Sequence, residues 1–69
     1  MKTLIFTESV ITSVAPERST RIADECLLEI RVVESRKEPA GWIYEYELKG
    51  EIGRIAKFRL RLKSLERVD

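Results

Sequence analysis

Arg54-Ile55-Ala56-Lys57-Phe58-Arg59-Leu60-Arg61-Leu62-Lys63-Ser64-Leu65 alternates more cleanly than any other part of this 69-residue chain. Ala56, Phe58, Leu60 and Leu62 share one parity, and Lys57, Arg59, Arg61 and Lys63 share the other. A period of two gives a strand one apolar and one wet face, so the segment reads as a β-strand. Upstream, Trp42, Tyr44, Tyr46 and Leu48 alternate with Ile43, Glu45, Glu47 and Lys49. Between Cys26 and Ser35, Leu28, Ile30 and Val32 alternate with Glu29, Arg31 and Val33. Lys2 to Thr12 has the Thr, Val, Ile and Phe content of a further strand.

Pro16, Pro39-Ala40-Gly41, Gly50 and Gly53 separate these stretches. The expectation is a single mainly β domain over residues 1–69. It would be a small antiparallel meander of about four strands, as a curled sheet or small open barrel. Residues 14–25 read as a loop with at most one short helix. Pro16 suits a first helical position, and Ile22, Cys26 and Ile30 fall near helical spacing.

Matching apolar faces sets a register. Val32 is expected opposite Tyr46, Ile30 opposite Leu48 and Ser35 opposite Ile43. A turn at Glu51-Ile52-Gly53 would place Tyr46 opposite Phe58, Tyr44 opposite Leu60 and Trp42 opposite Leu62. The same registers set Arg31 and Lys57 on either side of Glu47, and Arg59 beside Glu45. Such cross-strand pairs are each worth about 0.2–1 kcal/mol and disfavour a one-residue slip.

The charges narrow the function classes. Thirteen Lys and Arg against twelve Asp and Glu leave a net charge of +1. Residues 53–69 hold six basic and two acidic side chains, so the positive charge gathers at one end. Glutamates are expected to answer Lys57 and Arg59. Arg61, Lys63, Arg36, Lys37 and Arg67 remain as a basic end cluster able to contact an anion or nucleic acid. Trp42, Tyr44, Tyr46, Phe58, Leu60 and Leu62 form an apolar stripe. It reads as core or interface, because a stacking platform for bases needs aromatics and cations on the same face.

The chain has no histidine and a single cysteine, Cys26. These counts remove the usual general base, a Cys-based zinc site and an internal disulfide. No catalytic, cofactor-binding or metal site is therefore expected, and the protein reads as a non-enzyme. Gly-Phe-Gly-Phe, the aromatic-glycine signature of RNA-recognition and cold-shock modules, is absent. A meander of this kind leaves an apolar sheet face bare. The expectation is thus an interaction or assembly module that self-associates through that face, as a homodimer or higher oligomer, or docks in a larger assembly. The alternative is a small β nucleic-acid-binding protein. No apolar run reaches membrane-spanning length, and Glu8 cuts short the opening apolar stretch, so a cytoplasmic location is expected. Asn and Gln are both missing, a habit of thermophilic composition.

Overall fold

The computed structural model describes residues 4–66. The element order is β1 (Phe6–Thr12), α1 (Pro16–Glu25), β2 (Glu29–Glu38), β3 (Gly41–Gly50) and α2 (Ile52–Glu66). The strands form one antiparallel sheet in the order β1-β3-β2, so β3 is its middle strand.

The fourth strand expected over Arg54–Leu65 is instead helix α2, so the described residues form a three-stranded sheet and two helices. Two periodicities overlap in this segment. Ile55, Phe58, Leu62 and Leu65 recur at helical spacing and face the core, where the first three are buried. Ile55 and Leu65 are the apolar residues that a strict alternation leaves on its charged side. Composition agrees with the helix: Ala, Leu, Lys and Arg are strong helix formers, and within α2 Ile55 is the only β-branched residue after Ile52. The neighbours of Tyr46, Tyr44 and Trp42 on this side are accordingly not Phe58, Leu60 and Leu62. They come from β1, where Val10 pairs with Tyr46 and Thr12 with Tyr44.

Residues 14–25, expected to hold at most one short helix, supply the ten-residue α1. Pro16 opens it, where the missing N–H costs nothing. The N–H of Leu28 donates to Ala23 O at 2.8 Å and that of Leu27 to Asp24 O at 3.1 Å, which closes the helix in a Schellman motif. Leu27 occupies the left-handed position at φ 59°, a place that favours glycine.

The β2–β3 register follows the apolar faces through Val32, with Arg31 opposite Glu47 and Glu29 opposite Lys49. A bulge between Val32 and Glu34 then shifts it by one residue, so that Ser35 faces Tyr44 and Arg36 faces Ile43. One face of the sheet packs against both helices around Tyr46, Leu48, Ile55 and Phe58, all fully buried. The Tyr46 hydroxyl donates to Val14 O at 2.7 Å, fixing the start of α1 to the sheet. Gly50 allows close approach, because a Cβ there would lie 2.4 Å from Leu28 Cδ2. β1 reaches only as far as Tyr44, and the distal β2–β3 hairpin runs on beyond it.

Candidate functional site

The fold distributes the cations expected as one end cluster. Arg36 and Lys37 lie near the hairpin tip, and Arg36 is held between Glu38 at 2.7 Å and Glu34 at 3.9 Å. Arg61 lies on α2 and donates to Glu25 at the end of α1, at 2.5 Å. That hydrogen bond raises the Arg61 guanidinium further above its ordinary value. Lys63, two residues on, borders a depression with Ser9, Val10, Arg59 and Glu66 on the β1 side. A helix turns about 100° per residue, so positions two apart point to opposite sides. A strand would have placed Arg61 and Lys63 together. Arg67 lies outside the described residues.

The glutamates of β3 also have different neighbours from those expected. Glu47 keeps Arg31 at 2.9 Å, but its other cross-strand neighbour is Ser9 rather than Lys57. Glu45 faces Ile11 on one side and Glu34 on the other. Arg59 instead reaches β1, with Glu8 Oε1 at 2.6 Å and Ser9 O at 3.4 Å. These pairs are exposed, and each is worth at most about 1 kcal/mol.

The apolar stripe divides into inside and outside portions. Tyr46, Phe58 and Leu62 are buried and Tyr44 is half-buried. Trp42 is 49% exposed, although it stacks on Tyr44 with ring centres 6.4 Å apart. Leu60 is 70% exposed on the outer side of α2, because helical spacing turns it away from Phe58 and Leu62. Cys26 is buried in the core cluster.

Sequence reasoning missed two surfaces. The first is β1 with the two residues before it, where Leu4, Ile5, Phe6 and Ile11 are all exposed. Its signal was available, since Phe6–Thr12 contains a single charged residue, Glu8. The second is a groove between α1 and α2 bordered by Arg18, Arg21 and Arg61. It was hidden while residues 54–65 read as a strand. Among the described residues, no group of three or more His, Cys, Asp or Glu is placed to hold a metal ion, and no helix is long and apolar enough to cross a membrane. Comparison with protein-family models, curated proteins and solved structures found no match to this chain.

Proposed function

We propose that this chain is a non-enzymatic assembly module that self-associates, pairing the free β1 rims of two copies into one continuous antiparallel sheet. The expected interface was the apolar sheet face, but α1 and α2 occupy most of that face. The apolar surface left over therefore lies mainly at the rim of β1 and on the distal hairpin. The observation that carries the proposal is the make-up of the β1 rim: no bulge interrupts its ladder and no proline or lysine stands in the strand, the one guard being Arg59 of α2 at Glu8 and Ser9 O. Unpaired N–H and C=O groups along such an edge favour addition of another strand.

A second copy suits this edge because β1 is almost neutral. Its one charge, Glu8, is already paired with Arg59 of the same chain, so antiparallel pairing of β1 with itself brings no free like charges together. Ile11, 67% exposed, would be withdrawn from water together with Phe6. Burial of apolar surface stabilises by about 25 cal/mol per Å².

Sedimentation equilibrium at micromolar concentration tests the reading. The wild type should sediment as a dimer, and Ile11→Lys combined with Phe6→Lys should sediment as a monomer that unfolds cooperatively. A wild-type monomer at that concentration overturns the proposal, as does a dimer indifferent to both lysines.

A further inference from the structure

The groove between α1 and α2 lies on the helical layer, apart from the β1 rim. Arg18, Arg21 and Ile22 come from one side of α1, at the spacing that stacks side chains along a helix. Arg61, Ser64 and Leu65 face them from α2 with the same spacing. Buried Ile22 and half-buried Leu65 supply an apolar floor. Arg61 is tethered by Glu25 at 2.5 Å, which holds its guanidinium at the groove. Among the described residues, neither Arg18 nor Arg21 has a carboxylate within 4.0 Å.

We propose that this groove docks an acidic, amphipathic segment of a partner protein, whose carboxylates meet Arg18 and Arg21 while its apolar side chains cover Ile22 and Leu65. The partner's chemistry follows from charge complementarity and from the floor. Guanidinium groups present a planar fork of donors that matches a carboxylate two bonds at a time. An apolar floor between cations suits a side chain that carries methyl groups beside its charge, as in recognition of a helix by a groove. A nucleic-acid backbone fits less well. Glu17, Asp24 and Glu25 stand on the same helix as Arg18 and Arg21, and a long run of phosphates would pass beside them.

Three labelled probes test the assignment by fluorescence anisotropy at low and high salt. They are a synthetic helical peptide of Glu and Leu, its twin with Lys in place of Glu, and an oligothymidylate. The Glu-Leu peptide should bind saturably and weaken with salt, with amide shifts at Ile22, Ser64 and Leu65 in an NMR titration. The Lys twin should not bind. Arg18→Glu/Arg21→Glu should weaken the acidic peptide by about tenfold or more, since it sets like charges in contact. Both positions are exposed, and circular dichroism checks the fold; if the double reversal fails to fold, Arg18→Gln/Arg21→Gln replaces it. Tighter binding of oligothymidylate that the same variant abolishes would reassign the groove to phosphate backbones and overturn the proposal. So would binding indifferent to the arginine changes, or no binding of the acidic peptide.

Discussion

The two rims of the sheet are built on opposite principles. β2 has ten residues, of which Glu29, Arg31, Glu34, Arg36, Lys37 and Glu38 are charged, and a bulge interrupts it at Val33. Charge and local twist of this kind keep another strand from adding to an edge. β1 has seven residues, one charge and an unbroken ladder. Both strands pair with the same central β3, so their environment inside the sheet is similar. The difference lies in what each strand carries: six charges and a bulge in β2, against a single ion-paired glutamate in β1.

The largest effect should come from breaking the platform that holds both rims. Phe58 is fully buried beneath the sheet, and Phe58→Ala should cost about 3–5 kcal/mol, read from urea denaturation. For a domain this small, that loss is of the order of its whole stability.

Next comes the exchange of character between the rims. Ile11→Lys gives β1 the kind of charge that guards β2, and it should raise the dissociation constant of the proposed dimer at least tenfold, about 1.4 kcal/mol. Deleting Val33 tests the opposite side, because it restores continuous pairing between Val32–Tyr46 and Glu34–Glu45. Light scattering should then show larger species than the wild type forms. An unchanged mass would mean that charge alone guards β2.

Tyr46→Phe sharpens the comparison by testing the shared central strand without opening a cavity. It removes the hydrogen bond to Val14 O, which keeps Ser19 Oγ as a donor at 3.3 Å, and should cost about 1 kcal/mol. Burial holds the Tyr46 phenol above its ordinary value of 10.0. Both states keep the proton below that pH. Above it, the unfolded chain ionises first, so stability falls as pH rises. Denaturation midpoints of Tyr46→Phe should fall less steeply than those of the wild type in that alkaline range.

The smallest effect concerns the entry into the guarded strand. Leu27 is exposed and left-handed at the junction of α1 with β2, so Leu27→Gly should relieve strain at little loss of packing. A gain of about 0.5–1 kcal/mol is expected in thermal or urea unfolding, with no change in association.

Local pattern made the β2–β3 hairpin legible. Ile30, Val32, Tyr46 and Leu48 share a parity, and a strand must bury one parity or the other, so the register from Glu29 to Val32 followed from the residues alone. The bulge beyond Val32 was not legible, because an extra residue in an exposed edge leaves no deficit of apolar side chains to reveal it. The basic end cluster dissolved for a related reason. Placing Arg61 and Lys63 together assumed a period of two, and the helix sends one toward Glu25 and the other toward β1.

By itself, then, the sequence determined the central strand, its partner across the Pro39-Ala40 turn and the absence of histidine chemistry, because strand parity and residue inventory are local properties. Only the tertiary structure decided between strand and helix for Arg54–Leu65. That segment is amphipathic at both periods, and the choice rests on which face finds cover. As a helix it buries Ile55, Phe58 and Leu62 against the sheet and leaves β3 free to pair with β1. As a strand it would have left in water the part of the apolar sheet face that α2 covers.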